Sequence, residues 1–162
     1  MVSWQERPSE VSYLLNPAFC GRIIYNTISE YSSSSEKPFP LALMYLILPL
    51  VLHKNTRELI NSRTAFTNWI QNNPKVLIGF PRRAREMVTI TNEAIEYLLQ
   101  SKYICIDTNG EFIINVEQKK MSKTKFTDHE VKECINKAGH IGKWFASTGK
   151  VENIYISLGV RP

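Results

Sequence analysis

The sequence predicts a single α+β domain, mainly α-helical, with a winged-helix-like unit and a C-terminal helical extension. Three observations carry that expectation. Apolar residues recur at helical spacing through most of the 162 residues. An uncharged run at 39–52, FPLALMYLILPLVL, holds the densest apolar surface. Two β-rich runs separated by Asn109-Gly110 follow a well-marked helix, which is the order of elements in a winged helix. The length suits one domain with a real core and hardly two. The expected layout is an N-terminal arm at 1–15, a helical core at 16–118 carrying the hairpin 103–116, and C-terminal helices at 126–162.

Taken in order, Asn16-Pro17 reads as a helix cap followed by proline in the first turn. Phe19, Ile23, Ile24, Ile28 and Tyr31 give that helix one apolar face. It is expected to stop at the serine run 32–35, read as a flexible surface loop. The apolar run 39–52 is too short to span a bilayer, which asks for roughly twenty residues. It reads instead as a central core helix, buried on all sides or open on one side as a partner-binding groove. Pro38 and Pro40 suit its first turn, and Pro49 is expected to kink it.

Asn55-Thr56-Arg57-Glu58 has capping-box spacing for a short helix, with Arg57 in reach of the core helix's last carbonyls. Phe66, Trp69 and Ile70 form a short amphipathic piece that Asn72-Asn73-Pro74 ends. Val76, Leu77, Phe80, Ala84, Met87 and Val88 continue at helical spacing, with Pro81 as a kink or restart. Thr91 reads as the cap of a helix that ends near Ser101 and buries Ala94, Ile95, Leu98 and Leu99. Thr127-Asp128-His129-Glu130 is a capping box for a long helix carrying Val131, Cys134, Ile135, Ala138, Ile141 and Phe145. Gly139 and Gly142 each cost about 1 kcal/mol inside a helix relative to alanine, so they mark a face where another backbone approaches closely. Gly149 stops that helix, and a last one spans 151–158.

The composition, 43% hydrophobic and 22% charged, is that of a globular protein. A net charge of +5 permits contact with nucleic acid without requiring it. Cys20, Cys105 and Cys134 are odd in number and widely spaced, which speaks against a disulfide framework or a zinc knuckle. They are expected to be small hydrophobes in a reducing cytoplasm. The first ten residues include acids and no apolar run, so no signal peptide is read there and a cytoplasmic address is expected. His53, His129 and His140 fall on separate elements with no ligand partner at metal-binding spacing. No glycine-rich phosphate loop, nucleophile elbow or recognisable nucleophilic cysteine motif is present. No catalytic, cofactor or metal residue is assigned, and the chain is expected not to be an enzyme.

Two basic clusters could touch phosphates: Arg82, Arg83 and Arg85, and the connector lysines Lys119, Lys120, Lys123 and Lys125. The helix of the winged unit, TNEAIEYLLQS, carries Glu93 and Glu96 and no Lys or Arg, a poor surface for a major groove. Any DNA contact is therefore expected to be indirect or non-specific.

Four passages together resemble a known family: NPAFCGRIIYNTI at 16–28, PLALMYLILPLVLHKNTRE at 40–58, RAREMVTITNEAIEYLLQ at 83–100 and IGKWFASTGKVENIYISLGVRP at 141–162. They resemble the small middle component of bacterial three-component ABC systems, the Lamassu-type defence modules. The resemblance implies a non-enzymatic adaptor that links an SMC- or Rad50-like ABC ATPase, which senses foreign DNA, to an effector subunit such as a nuclease. The outcome would be anti-phage or anti-plasmid defence, with no cofactor and no membrane. A winged-helix adaptor would parallel the small winged-helix subunits of bacterial condensins by analogy. Pro81 and the serine run depart modestly from the family pattern. For an adaptor, aromatic and Arg residues are the expected interface anchors. The partner-binding candidates are Trp144, one position off the periodic face, Tyr155, Leu158, and the tail Gly159, Val160, Arg161 and Pro162, too small and too terminal to be core. Phe145 is expected in the core. The alternative is a winged-helix DNA-binding or regulatory protein.

Overall fold

The computed structural model describes residues 15–117, 121 and 125–161. The expected arm therefore lies almost entirely outside the described residues, as do Lys119, Lys120, Lys123 and Pro162. Asn16 starts helix α1 (Pro17–Ser35): its side-chain oxygen accepts the Ala18 N–H at 2.7 Å, and Pro17 fills the first turn. The serine run is not a loop but the last turn of this helix. Ser35 Oγ donates to the Tyr31 carbonyl at 2.8 Å, and Glu36, in the left-handed region at φ 57, closes the helix onto Ser32. Tyr31 packs edge-on to Phe39 with ring centroids 4.9 Å apart. That contact outweighs the roughly half a kcal/mol that each serine costs in a helix.

Helix α2 (Leu41–Val51) is the central apolar run, buried from Leu43 to Val51 except for the half-buried Tyr45. It begins later than its composition suggests. Pro38 and Phe39 are extended, Pro40 caps the helix, and Phe39 exchanges two backbone hydrogen bonds of 2.8 and 2.9 Å with Phe112. The helix continues through Pro49 and ends at Val51. Helix α3 (Lys54–Leu59) is capped by His53, whose Nδ1 accepts the Thr56 N–H at 3.3 Å, and not by the expected box at Asn55. Helix α4 (Phe66–Asn72) and a 3-10 turn (Pro74–Leu77) lead to Gly79 at φ 70. There Pro81 sits in the first turn of a new helix, α5 (Phe80–Glu86), as a restart and not a kink.

Helix α6 (Val88–Gln100) starts three residues before Thr91, which is buried inside the helix and does not cap it. Propensity favours threonine as a cap, but the apolar periodicity running back through Ile90 and Val88 carries the helix past it. Strands β1 (Ile104–Ile106) and β2 (Phe112–Ile114) pair antiparallel, with Ile104 opposite Ile114. In the turn, Asp107 Oδ1 accepts the Asn109 and Glu111 amides at 2.8 and 2.9 Å, and Gly110 takes φ 79. The helix-then-hairpin order is as expected, and the hairpin is held against Phe39 and α1. Helix α7 (His129–Thr148) is capped by Asp128, whose carboxylate accepts the Val131 N–H at 2.9 Å, one residue later than the Thr127 box implies. Glu130 is thereby free to turn elsewhere. Helix α8 (Val151–Ser157) follows Gly149.

One buried cluster joins nearly all these elements; α2 packs against α1, α3, α5, α6 and α7, while α1 makes the most extensive contacts, chiefly with α7 and α6. Of the two glycines of α7, Gly142 meets the α1 backbone as its cost suggested, whereas Gly139 meets only α1 side chains. A Cβ on Gly142 would lie 2.4 Å from the Thr27 carbonyl and 3.0 Å from the Tyr31 nitrogen, both backbone atoms. Asn26 Nδ2 donates to the Ile135 carbonyl at 2.8 Å, and Thr27 Oγ1 lies 3.1 Å from both the Ile23 and Ala138 carbonyls. A second tie is polar. Arg57, only 1% exposed, donates to Glu130 at 2.6 Å, to Glu133 at 3.0 Å and to the Val51 carbonyl at 3.0 Å. It thus closes the end of α2 and binds the first turns of α7, and its partners hold the guanidinium pKa above its usual value although burial opposes this.

Two predictions follow from these ties. Gly142→Ala must push two backbones apart, and overpacking costs about 1–3 kcal/mol. Its expected loss is near 3 kcal/mol, or roughly 6–12 °C in Tm. Gly139→Ala meets side chains and no backbone: Glu30 Cγ at 3.3 Å, which can swing away, and Asn26 Nδ2 at 3.4 Å, an ordinary contact distance. It recovers helix propensity and is expected within about 0.5 kcal/mol of the parent; equal Tm losses for the two would refute the backbone contact. Arg57→Met leaves the Val51 carbonyl and two facing carboxylates without their donor. Glu130 and Glu133 still reach solvent, at 56% and 24% exposure. The cost is therefore expected below the usual 3–5 kcal/mol for breaking a buried pair, at about 2–3 kcal/mol, read from the urea midpoint at constant m-value.

Candidate functional site

Chain order separates α2, α5, the start of α6 and the segment after α8, yet the fold brings them around one open cavity of about 490 Å³. The segment after α8 is shaped by backbone geometry. Gly159 at φ 69 ends the helix, its N–H donating to the Ile156 carbonyl and the Val160 N–H to the Tyr155 carbonyl, both at 3.1 Å. This pair of bonds is a Schellman motif, with Val160 folding back over Tyr155. Glycine is needed there for its positive φ, not for crowding, since a Cβ would meet nothing within 4 Å. Tyr155 is 6% exposed and its hydroxyl donates to the Ala42 carbonyl at 2.6 Å, which fastens α8 to the first turn of α2. Burial raises its phenol pKa above the usual value, with nearby Tyr45 adding to the effect.

The opposite wall is a stripe at helical spacing: Pro81, Ala84, Arg85 and Val88. Leu46, 1% exposed, lies at the bottom, and Tyr45 donates its hydroxyl to Asn92 Oδ1 at 2.9 Å. Among the described residues, the only charged ones lining it are Arg85 and Arg161, both exposed. Of the expected partner-binding residues, Tyr155, Gly159, Val160 and Arg161 meet here, joined by Arg85 from the basic cluster. Leu158 is fully buried, and Pro162 lies outside the described residues.

Trp144 is not available to a partner from the surface of this chain. It is 5% exposed, its indole N–H donates to the Thr64 carbonyl at 2.8 Å, and its ring packs at a tilt with centroids 4.9 Å from Trp69 and 5.8 Å from Phe66. One position off the periodic face of α7 faces α4, an element that sequence spacing alone does not locate.

The three arginines of α5 go separate ways. Arg82 is exposed and pairs with Glu86 at 2.7 Å. Arg83 turns inward and donates to the Ile78 and Val76 carbonyls at 3.0 and 3.3 Å, its guanidinium 5.6 Å from the Phe80 ring centroid. Arg85 alone faces the cavity. Lys125 is exposed, and the other connector lysines are outside the described residues. The wall residues Ala84 and Val88 and the polar tie at Arg57 were visible as apolar spacing and as a helix-end arginine, but no motif marked them.

Chemically reactive groups are muted. Burial pushes the Cys20 thiol to about 12 and the Cys134 thiol to about 11, so neither is a thiolate near neutrality. No group of three or more His, Cys, Asp or Glu that could hold a metal occurs among the described residues. Burial, with Arg83 and Arg57 nearby, lowers the His53 pKa. Burial, with Lys137 and Lys143 nearby and Glu30 opposing, lowers that of His140.

Comparison with known families places residues 4–162 on the ABC-three component (ABC-3C) system Middle Component 3. No curated protein matches, and no solved structure matches.

Both histidines bind protons less readily in the folded chain than in the unfolded one, whose value is about 6.5. Stability is then complete above pH about 6.5 and falls as the pH drops below it, levelling only once the folded-state values are passed. Tm is expected to fall between pH 7.5 and 5.5, and His53→Asn, which keeps an N-cap acceptor, to flatten part of that fall. A Tm that holds or rises over this window in the parent chain would contradict the assignment.

Proposed function

We propose, from the premise that this chain belongs to the ABC-three component system Middle Component 3 family, that it is a non-catalytic adaptor in a multi-subunit complex. It joins an SMC- or Rad50-like ABC ATPase to an effector subunit of nuclease type, in a cytoplasmic complex acting against phage or plasmids. The observation that carries this reading is the family match over nearly the whole chain, 4–162. The physical character of the surface supports it. The cavity is walled by apolar side chains and arginine, the residue types that anchor protein partners, and offers no paired acid and base. No helix among the described residues is long and apolar enough to cross a membrane. The winged-helix DNA-reading alternative draws little support, because Arg83 is spent on carbonyls and Arg82 on Glu86.

The test is co-expression of the tagged full chain with its immediate genomic neighbours. Recovery of both a large coiled-coil ATPase and a third subunit in one gel-filtration peak is expected. Omitting this chain from the set should separate the other two. A chain that elutes alone and shifts DNA with a steep salt dependence would replace the adaptor reading with a DNA-binding one.

A further inference from the structure

We propose that the cavity between α5 and the segment after α8 is the seat for an apolar segment flanked by carboxylates, presented by another subunit of the complex. The inference rests on the adaptor reading and adds which surface is used and what chemistry the partner brings. Three features select that occupant.

The lining is apolar where it is recessed, with Leu46 at the bottom and Ala84, Val88 and Val160 along the sides. Its hydroxyls are already committed, Tyr155 to the Ala42 carbonyl and Tyr45 to Asn92. A polar small molecule would find no buried group to orient it, which a specific small-ligand site requires. Apolar side chains, by contrast, gain by leaving water there.

The second feature is charge. Arg85 and Arg161 are both exposed, one on each wall, and no carboxylate lines the cavity among the described residues. Two arginines across an apolar trough complement acidic residues placed on either side of an apolar anchor, and arginine forks a carboxylate with two hydrogen bonds. A nucleic acid backbone would satisfy the arginines but leave the trough unfilled. The peptide fills both.

The third feature is that the wall is only partly covered among the described residues. Pro81, Ala84 and Val88 share one face of the α5–α6 junction, and Val88 remains 38% exposed. Pro81 and Ala84 are half-buried, so the face keeps apolar area that a second helix or strand can cover.

The test uses the co-expressed complex with p-benzoylphenylalanine in place of Val88 in the full-length chain. Irradiation is expected to yield a covalent product with one partner subunit. The crosslinked peptide should hold apolar residues with at least two Asp or Glu close by. In parallel, the double variant Arg85→Glu/Arg161→Glu should recover that subunit about tenfold less, keep the other subunit, and melt at the parental temperature. Arg85→Lys/Arg161→Lys should restore much of the recovery.

If both subunits co-purify but the crosslink goes to DNA, to a second copy of this chain or nowhere, the seat is wrong while the adaptor reading stands. Full recovery of both subunits by the charge-reversed variant overturns it equally. If the parent chain recovers neither neighbour, the adaptor reading fails and this inference with it.

Discussion

The contact on which the rest of this molecule depends is the approach of α7 to α1 at Gly142, close enough that a Cβ would sit 2.4 Å from the Thr27 carbonyl. Helices normally keep 8–10 Å between axes because side chains stand between them, and a missing side chain lets the backbones close in. Asn26 and Thr27 then reach past the gap to carbonyls of α7, an option open only at short range. With α7 fixed in this way, its other faces are no longer free to choose their neighbours. Phe145 goes into the core, Trp144 faces α4, and the carboxylates of its first turns face Arg57.

Arg57 is the second consequence. An arginine with 1% exposure is tolerated only when its donors are met, and here they are met by two carboxylates and the end of α2. The end of a helix that contains Pro49 and no polar cap has orphan carbonyls, and burying that end would otherwise cost about 1–3 kcal/mol for each group left unpaired. Glu130 is available because Asp128, not Thr127, caps α7. A one-residue shift of the cap thus decides whether the buried charge is neutralised, which links a local detail of α7 to the stability of α2.

Much of this was legible in the sequence because its physics is local. Asn16-Pro17, Pro81 after Gly79, Asn109-Gly110 and Gly149 each act through their own backbone, and each stands where its chemistry placed it. Gly139 and Gly142 were legible as an unexplained cost that had to have a reason. The misreadings have a common cause. The serine run and Thr91 were assigned by propensity, worth tenths of a kcal/mol, and were overridden by tertiary burial of Tyr31 and of α6. The cavity was half legible. Tyr155, Val160 and Arg161 were singled out in the tail, but that they face Ala84 and Val88 depends on how α5 and α8 dock on α2, a fact carried by no single stretch. Gly159 was noticed for a partner, whereas its φ of 69 gives it a local duty as a helix stop.

The fate of the aromatic residues bears on the proposed adaptor role. Trp144 and Tyr155 are the residue types that usually dominate an interface, and both are consumed by the chain's own packing. What is left outside is smaller: the alanine and valines of the trough, two arginines, and scattered apolar side chains such as Ile78 at 73% exposure and Ile156 at 74%. Such a surface holds a partner by extent and charge placement more than by one deep anchor. Obligate subunit interfaces commonly bury 2,000 Å² or more, far beyond what one trough of this size contributes. A partner seated at Arg85 and Arg161, as proposed, would have to continue over neighbouring surface to be held permanently, and Ile78, just before Gly79 and α5, is one exposed apolar residue that could extend the wall. A seat that is specific in chemistry but modest in depth would suit the proposed adaptor, which would hold one partner over an extended surface while leaving another surface free for the second.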